Sequence, residues 1–509
     1  MPTYSPRRPQ PKVIMNRAHT NVAGLLGGFG GELIDPGLAS YEGARQMFNA
    51  QIDRRPELIA RCRDEADIKV AVLHARHRAL PLSIRCTGHS LAGHSSVDSG
   101  LVIDTSMLKR IEVDAGRRRV RVWAGATWGE LDAATQRFGL AVTGALFSTT
   151  GVVGVTLGGG TGWLERRLGL SCDNLLAAGL VTAEGEAIRA DRHERPELLW
   201  ALRGGGGHLG VVTWIEFALS PLASPVLGGQ LLYPRDRAGG LLDFLREFMS
   251  GAPDELGIGL AMTCAPDAPF VPDAFRSQPI VGMTTCFAGD PNTGRRVLRP
   301  LLDAFPPALD TIAPRPYLEM QQILDPLVPP GRRYAARALH LGALSDDALE
   351  VLIDHAGCAP SSACEVIVIP GGGALERIAP ESSPLAHRDA AATVQVLAAW
   401  HDPVDSERNE AWACAGSIAL DPFSVGINVN LTGDEAPERI QTAFSADGYD
   451  RLRAIKRTYD PDDVFDATPL PGALSRRDLG AQRRSESRAA KHEQPPPERI
   501  DPVREAAKP

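Results

Sequence analysis

The segment 85–95 constrains this chain more than any other part of it. It reads RCTGHSLAGHS and follows the apolar run 80–84, a pattern typical of a short strand that ends in a loop. Glycine permits positive φ angles and a close approach of the backbone to a ligand, and Ser90 and Ser95 add hydroxyl donors. We therefore predict a strand followed by a loop whose backbone N–H groups bind an anion.

Two other interpretations of this segment stay open at this point. The stretch GHSLA imitates the nucleophile elbow of a hydrolase, with Ser90 as the nucleophile. Ala92 stands where that motif has a glycine, however, and the residues that follow do not have the pattern of a helix. The third interpretation is an ordinary glycine-rich turn that contains a satisfied histidine, His89.

Glycine is concentrated in several further clusters. The chain has 51 glycines in 509 residues, about a tenth against a typical ~7%. Runs of glycine occur at 158–160, 204–207 and 371–373. Such clusters indicate loops that lie against a ligand, and the hydrolase interpretation leaves the first two without a role. The length of the chain also exceeds one ordinary core, so we expect at least two domains.

Charge and cysteine usage exclude several classes of function. The formal net charge is −8 and no long basic stretch is interleaved with aromatic residues, so we expect no nucleic-acid partner. No run of about 18 apolar residues occurs, so we expect no membrane partner. The eight cysteines are scattered singly without a CxxC pair, which predicts neither a metal site nor a disulfide framework. Reduced thiols in a cytoplasmic protein are the expectation.

The order of the predicted elements favours an α+β fold. Asp64 is expected to cap a helix over 64–79, and Thr127 with Glu130 forms a capping box for a helix over 128–138. The small residues of 148–154 and 157–164 disfavour a helix there. The β-like runs lie at 101–104, 111–114, 119–124, 177–183, 211–219, 280–286, 365–369 and 423–431. Further helices are predicted at 196–202, 238–249, 388–399 and 449–458. No G-x-G-x-x-G stands between a strand and a helix, which argues against a Rossmann site.

Five motifs follow one another along the chain. They are RCTGHSLAGHS at 85–95, LGGGTGWL at 157–164, GLSCDNL at 169–175, ELLWALRGGGG at 197–207 and YDRLRAIKRTYDPDDVF at 449–465. In this order they resemble the signature of the berberine-bridge-enzyme-like oxidases, flavoproteins with a p-cresol-methylhydroxylase-type FAD-binding domain. The resemblance extends from residue 41 to residue 471.

That resemblance implies an α+β, two-domain flavoprotein, in which an FAD-binding domain is joined to a substrate domain of antiparallel sheet plus helices. Beyond position 475 the charged, proline-containing composition predicts a disordered tail. The expected divisions are an N-terminal arm 1–40, the FAD-binding domain 41–222, the substrate domain 223–431, a C-terminal return to the FAD-binding domain 432–474 and the tail 475–509.

By the same resemblance, FAD is the cofactor, and a ring nitrogen of His89 is bonded to the 8α-methyl carbon of the flavin. A diphosphate requires many N–H donors, which the glycine-rich loops supply. The other FAD-binding residues implied by the resemblance are Arg85, Thr87, Gly88, Ser90, His94, Ser95, Thr149, Thr150, Gly151, Gly154, Gly158, Gly159, Gly160, Gly162, Gly210 and Val212.

Departures from the family pattern concern the chemistry. Phe147 stands where many members have a cysteine that forms a second flavin bond, so a single covalent link is expected. Asn428 stands where several relatives have a tyrosine that acts as the base, while Asn430 keeps the family's asparagine. A carboxamide has no useful pKa for taking a proton, but Asn428 can still orient a substrate carbonyl or hydroxyl. Either another residue serves as the base, or the substrate loses hydride without a base, or the chain has lost oxidase turnover. The candidate replacement bases are Tyr334 and His340, followed by His208 and Tyr317.

The resemblance implies an oxidase that acts on a small organic substrate, such as a secondary metabolite or a sugar. Hydride would pass from a C–H bond beside a hydroxyl or amine to the flavin and then to O2, which gives hydrogen peroxide. Two alternatives stay open. Thr150 is polar near the position that gates oxygen in relatives, which leaves room for a dehydrogenase or tailoring enzyme with another acceptor. The missing tyrosine leaves room for a flavoprotein without catalytic activity.

Overall fold

The computed structural model describes residues 27–466, and these form an α+β fold, as predicted. The strands in chain order are β1 (Glu32–Ile34), β2 (Leu58–Arg61), β3 (Leu82–Arg85), β4 (Leu101–Asp104), β5 (Ile111–Asp114), β6 (Arg119–Trp123), β7 (Leu140–Ala141), β8 (Leu175–Val181), β9 (Ala187–Asp191), β10 (Val211–Ala218), β11 (Ser220–Pro221), β12 (Val226–Pro234), β13 (Leu256–Cys264), β14 (Pro279–Phe287), β15 (Leu309–Asp310), β16 (Ala313–Arg315), β17 (Arg333–Leu341), β18 (Glu365–Pro370), β19 (Ala392–Trp400) and β20 (Ser424–Ile427).

The helices of the described region are of very different lengths. They are α1 (Tyr41–Ala44), α2 (Glu65–Arg78), α3 (Trp128–Thr135), α4 (Val152–Leu157), α5 (Glu165–Leu168), α6 (Pro196–Leu202), α7 (Ala238–Ser250), α8 (Pro291–Ala304), α9 (Tyr317–Gln321), α10 (Asp346–Gly357), α11 (Ala374–Arg377), α12 (Ser406–Leu420), α13 (Pro437–Gln441) and α14 (Ala446–Tyr459). Among the helices of residues 27–466, none is both long and apolar enough to cross a bilayer.

Two sheets make up the half of the fold that contains the loop 85–95. The smaller has the order β1-β2-β4-β3, with β4 parallel to both of its neighbours. The other is antiparallel with the order β5-β6-β10-β8-β9. Because β3 ends at Arg85, the loop leaves the sheet edge directly into the space beside these sheets.

The remaining large sheet is nine-stranded and antiparallel, with the order β15-β12-β14-β13-β18-β19-β17-β20 and with β16 paired to β12. Side chains alternate between the two faces of a strand. Leu339 and Val394 point into a core shared with α7, α10 and α12. Tyr334 and Leu397 belong to the opposite face, where they pack with Phe48 from the N-terminal half. This opposite face covers the loop 85–95.

Local signals explain the elements whose bounds the sequence predicted well. The Asp64 side chain accepts the N–H of Asp67 at the start of α2. Thr127 and Glu130 form the capping box of α3, and Gly139 follows with a φ of 66° after a short 3-10 turn. Both helices therefore begin where a side-chain oxygen satisfies a free N–H group of the first turn.

Three expectations about local structure are wrong. The predicted helix over 388–399 is the strand β19, which is held between β17 and β18 by ladders on both sides. Residues 152–157 form a short helix, because packing of Val152 and Val153 into the core outweighs the low propensity of small residues. The arm 1–40 is not wholly irregular, since 32–34 pairs with β2. Residues 1–26 and the predicted tail 475–509 lie outside the described residues, and the domain boundaries stay predictions.

Candidate active site

A cavity of about 360 Å³ lies between the loop 85–95 and the open face of the nine-stranded sheet. Its wall also includes residues of the glycine clusters at 158–160 and 204–207, which are far apart in sequence. The predicted site residues on this wall are Thr87, Gly88, His89, Ser90, His94, Ser95, Thr150, Gly151, Gly154, Gly158, Gly210, Val212, Tyr334 and Asn430. The fold thus gathers most of the predicted cofactor segments around one space.

Several predicted residues lie elsewhere. Arg85 is buried in an ion pair with Asp104, with 2.7 Å between its Nη2 and the carboxylate Oδ2. Thr149 is exposed. The N–H of Gly162 donates to Oε2 of Glu165 over 3.3 Å. Of the other predicted residues, a second and smaller cavity is lined by Gly159, Gly160, His340 and Asn428.

The loop that follows β3 offers unused backbone donors to the main cavity. Within residues 27–466, the N–H groups of 88–92 donate to no protein acceptor. Buried backbone N–H groups are almost always paired, so a run of free ones facing a cavity indicates a ligand that accepts them. Ser90 Oγ accepts the N–H of His94 over 3.1 Å, which fixes the turn. Residues 89–100 contain no helix, so the strand–turn–helix geometry of a nucleophile elbow is not formed.

His89 is held in a stack of aromatic rings on the cavity wall. Its ring lies 4.2 Å from that of Phe48 at an angle of 21°, and Phe48 stacks in turn on Tyr334 at 5.3 Å and 11°. Burial disfavours the imidazolium and lowers the pKa of His89 to about 4. The imidazole is therefore neutral at neutral pH and has a nitrogen lone pair free for bonding.

Tyr334 is not arranged as a base. Its phenol O–H donates to the carbonyl oxygen of Pro329 over 2.6 Å. Burial raises the pKa of Tyr334 to about 12, so the phenol stays protonated. Tyr317 is fully buried, faces Gln321 and lies on neither cavity wall. Of the two tyrosines considered as bases, one shapes the cavity and the other is part of the core.

The two asparagines after β20 are fixed by hydrogen bonds. Asn430 donates from Nδ2 to the carbonyl of Val155 over 2.8 Å, and its N–H donates to Oδ1 of Asn428 over 3.1 Å. Asn428 donates from Nδ2 to Thr161 Oγ1 over 3.4 Å. Asn430 thus lines the main cavity, while Asn428 faces the second one and contacts Thr161, which borders both.

The second cavity, of about 50 Å³, has a wall of mixed polar and apolar groups. It adjoins the first at Gly158, Thr161 and Val429, which line both spaces. His340 lies on its wall with Nδ1 3.1 Å from Thr393 Oγ1. Burial lowers the pKa of His340 to about 4, which makes it a weak base. The remaining titratable side chains on this wall are Glu165, His387 and Arg388.

Four residues of these walls were not found from sequence. Phe48 lies outside all five motifs, and only the chain path brings it beside His89. Thr161 and Glu165 stand within or directly after LGGGTGWL, where a hydroxyl followed four residues later by a carboxylate in a glycine-rich stretch was the available signal. Gln395 also lines the main cavity, and the wrong helix prediction for 388–399 concealed its position.

The main cavity fits FAD by three observations. The free N–H groups of 88–92 match the acceptor oxygens of a diphosphate. A side chain at Gly154 would project into open space on the wall, so glycine leaves room for a ligand there. Nε2 of His208 is buried on the same wall without a partner among the described residues, and burial lowers the pKa of His208 to about 3. A buried polar nitrogen of this kind requires a ligand atom. The same residues 27–466 contain no cluster of three or more side chains placed to hold a metal ion.

Comparison with family models gives two matches. The model of the FAD binding domain matches residues 56–191, which contain the loop 85–95 and the glycine cluster 158–160. The model described as berberine and berberine like matches residues 429–469, which contain Asn430 and α14. These matches confirm the resemblance to the berberine-bridge-enzyme-like flavoproteins and support FAD as the cofactor.

Known proteins of similar sequence and structure point in the same direction. An FAD-linked oxidoreductase of Dictyostelium discoideum is 29% identical over 430 residues, which cover 83% of this chain and 90% of that protein. The crystal structure of 6-hydroxy-D-nicotine oxidase from Arthrobacter nicotinovorans is similar with a TM-score of 0.79 and 27% identity, covering 88% of this chain and 98% of that one. A xylooligosaccharide oxidase from Myceliophthora thermophila, in complex with xylobiose, shares the fold with a TM-score of 0.75, 21% identity and coverage of 87% and 97%.

Proposed function

The chain belongs to the berberine-bridge-enzyme-like FAD-linked oxidoreductases, and from this we propose that it is an oxidase of a small organic substrate. It takes hydride from a C–H bond beside a hydroxyl or amine and passes the electrons to O2. The observation that carries this proposal is His89, a neutral imidazole on the wall of a cavity whose adjacent N–H groups are free. Secondary metabolites and sugars are the proposed substrate class.

We propose that FAD is attached through His89 alone. A neutral imidazole has a nucleophilic ring nitrogen, which a bond to the 8α-methyl carbon requires. The stacked ring of Phe48 restricts the rotation of His89 and so holds that nitrogen in one direction. Phe147 also lines the cavity, in the position of the second attachment point, and it offers no thiol.

The eight cysteines of the described residues are all unpaired, which supports a reducing, cytoplasmic location.

Bound flavin supplies a two-electron acceptor for hydride. The residues proposed to hold it are those on the main wall, with the loop 87–92 on the diphosphate and His208 as an added hydrogen-bonding partner. Tyr334 and Leu397 exclude water on the side of the nine-stranded sheet. Asn430 is held by Val155 and orients the substrate. Arg85 acts indirectly, because its pair with Asp104 holds the start of the loop.

A second candidate is favoured by the residues after β20. Asn428 occupies the position of the family's tyrosine. Its side chain donates a hydrogen bond to Thr161 and lines the second cavity, not the main one. Tyr334 is protonated, and its hydroxyl donates a hydrogen bond to the carbonyl oxygen of Pro329, so neither Asn428 nor Tyr334 is a direct base. A flavoprotein that uses an acceptor other than O2, or one without turnover, is therefore the alternative to an oxidase.

The test begins with the colour of the purified protein. The visible spectrum is recorded before and after acid precipitation for the wild type and for His89→Ala, with Cys86→Ala as a matched control on the same loop. We expect yellow colour that stays in the wild-type and Cys86→Ala pellets and moves to the supernatant in His89→Ala. A colourless wild type that cannot be reconstituted with FAD would refute the cofactor assignment.

Turnover is tested by anaerobic reduction followed by air. The two probes are 6-hydroxy-D-nicotine, an amine, and xylobiose, a sugar with an oxidisable C–OH group. Bleaching that reverses in air with release of hydrogen peroxide supports the oxidase. Flavin that is bleached and stays reduced in air supports the alternative acceptor, and flavin that no substrate of a wider amine and sugar screen bleaches supports the protein without turnover.

A further inference from the structure

Glu165 is a buried carboxyl group beside the main cavity, and no motif accounts for it. It is 7% exposed, and it begins the short helix α5 directly after the glycine-rich stretch. Its Oε2 accepts the N–H of Gly162 over 3.3 Å. Its side chain lines the second cavity, together with Asn428 and His340. Burying a carboxyl group in such a space costs free energy, so its presence beside the cavity indicates a functional role.

Thr161 connects this carboxyl group to the main cavity. Thr161 and Glu165 line the same small cavity, and the Thr161 hydroxyl favours the charged form of this carboxyl group. The Oγ1 of Thr161 accepts from Nδ2 of Asn428 over 3.4 Å. A hydroxyl has one donor and two acceptor sites. With the donor directed to Glu165 and one acceptor site used by Asn428, one acceptor site remains. Because Thr161 lines both cavities, that site is available to a group bound in the main cavity.

We propose that Thr161 and Glu165 form the proton relay that replaces the missing tyrosine, with Thr161 in contact with the substrate and Glu165 receiving the proton through it. This inference rests on the proposed function, since it assumes a substrate whose hydroxyl or amine loses a proton as hydride leaves the adjacent carbon. Asn428 has the role of a positioning residue, because its amide holds the Thr161 hydroxyl in the donating orientation towards the carboxylate.

In a secondary alcohol, the proton and the hydride leave by separate routes. The substrate O–H bond breaks, and its proton forms a new O–H bond at Thr161 Oγ1. The original hydroxyl proton of Thr161 passes to the Glu165 carboxylate, so Thr161 is unchanged. The C–H bond breaks at the same carbon, and both of its electrons leave as hydride to the bound flavin, which is the oxidant. The C–O bond becomes a carbonyl, and one proton remains on Glu165.

The surroundings of Glu165 make it a suitable acceptor. Burial raises the pKa of Glu165 to about 7, opposed by its hydrogen bonds and by Arg166 on the same helix. The other charged or titratable groups that face this region are Arg388, which is paired with Asp173, and Glu376 on α11, together with His340 and His387. A base with a pKa near the working pH is the most effective one, whereas His340 with a pKa of about 4 holds a proton too weakly.

The experiment uses four holoenzyme variants. Glu165→Gln removes the proton acceptor and keeps the shape of the side chain. Thr161→Val removes the hydroxyl, whereas Thr161→Ser keeps it. Glu376→Gln is the matched control, because it removes an exposed carboxyl from the facing helix. The midpoint potential of the bound flavin is measured against pH without substrate, and anaerobic reduction by 6-hydroxy-D-nicotine and by xylobiose is followed by stopped flow against pH.

Reduced flavin ionises near neutral pH and so contributes its own change of slope to every variant. We expect the potential profiles of the wild type and Glu376→Gln to show an additional change of slope near neutral pH, which the profile of Glu165→Gln lacks. Thr161→Val keeps this change of slope, because the carboxyl is still present. Glu165→Gln and Thr161→Val slow flavin reduction at least about 100-fold, the usual contribution of a general base, and lose its pH inflection. Thr161→Ser retains most of the rate.

Two results would overturn the relay. One is a potential profile of Glu165→Gln that matches the profile of the wild type, and the other is reduction of Glu165→Gln at the wild-type rate with an unchanged inflection. The potential measurement needs no substrate, so it tests the role of Glu165 even if neither probe is oxidised. A wild type that binds no flavin refutes the proposed function itself, and the relay with it. A flavin-bound wild type with the same potential profile as Glu165→Gln refutes the relay alone.

Discussion

Lys456 on α14 is the centre of a buried charged network that ties the C-terminal segment to the cavity wall. Its Nζ lies 2.6 Å from Asp460 Oδ2 and 3.0 Å from Asp463 Oδ1. It also donates to the carbonyl oxygens of His208 and Phe465 over 2.9 and 3.1 Å. The side chains of the three charged residues are 6%, 0% and 11% exposed, so water does not replace the ammonium group if it is removed.

The perturbation is Lys456→Met, which keeps most of the volume and removes the charge. Breaking a buried ion pair at one partner costs about 3–5 kcal/mol, because the other charge is left uncompensated. The entropy of unfolding is ~2.1 cal/mol/K per residue, which for the roughly 440 residues from 27 to 466 amounts to about 0.9 kcal/mol/K. The expected fall in Tm is therefore about 3–5 °C.

Thermal unfolding followed by tryptophan fluorescence at fixed protein concentration and scan rate measures this shift. The control is Arg299→Met, which breaks a pair with Asp303 whose side chains are 77% and 68% exposed. Exposed pairs contribute about 0–1 kcal/mol, so its Tm should change by about 1 °C or less.

A second variant guards against loss of packing as the cause. Lys456→Met combined with Asp460→Asn and Asp463→Asn removes the uncompensated charges, and we expect it to recover at least half of the lost Tm. If Lys456→Met unfolds within about 1 °C of the wild type, or if the triple variant is the least stable of the three, the network does not contribute the stability expected of a buried ion pair.

Three further predictions concern single groups. Burial raises the pKa of Glu165 from 4.5 to about 7, so the folded state holds a proton that the unfolded chain releases, and the stability of the wild type falls as pH rises through this window. Across this pH window, the free energy of unfolding of Glu165→Gln should rise relative to that of the wild type by up to about 3 kcal/mol. At higher pH the difference should stay constant, which measurements of Tm against pH will show. Arg388 donates to both carboxylate oxygens of Asp173 over 2.8 and 2.7 Å, so Arg388→Lys, which loses the fork, should cost about 2 kcal/mol in chemical denaturation, and an unchanged midpoint would contradict this. In the His89→Ala background, His208→Leu should weaken FAD binding about 10-fold in a fluorescence titration, because it removes a hydrogen bond from a buried site, and equal affinity would refute that contact.

Many local features followed directly from sequence. The caps at Asp64 and Thr127 and the left-handed Gly139 depend on neighbouring residues alone, so their signals were sufficient. The glycine clusters and the loop 85–95 were assigned to one ligand, and most of their predicted residues do line one cavity. Arg85 and Thr149 were expected beside that ligand too, but the conformation of the loop directs one to Asp104 and leaves the other exposed.

The failures share one physical origin. The alanine-rich segment 388–399 has helical propensity, but pairing to β17 and β18 satisfies its backbone in a buried strand. The reverse occurs at 152–157, where burial of two valines stabilises a helix that propensity disfavours. In both cases long-range contacts contribute more free energy than the local preference, and sequence patterns do not contain those contacts.

The family, the candidate FAD-binding segments and the presence of Asn428 in place of a tyrosine could be predicted from residue type and spacing alone. Which side chains face the cavity is set only when the chain folds. Folding directs the Tyr334 hydroxyl to the carbonyl oxygen of Pro329, stacks His89 on Phe48, and places Glu165 and Thr161 on the wall of one small cavity that adjoins the main one. Protonation and proton transfer depend on burial and on distances of a few ångströms, and those quantities exist only after the chain has folded.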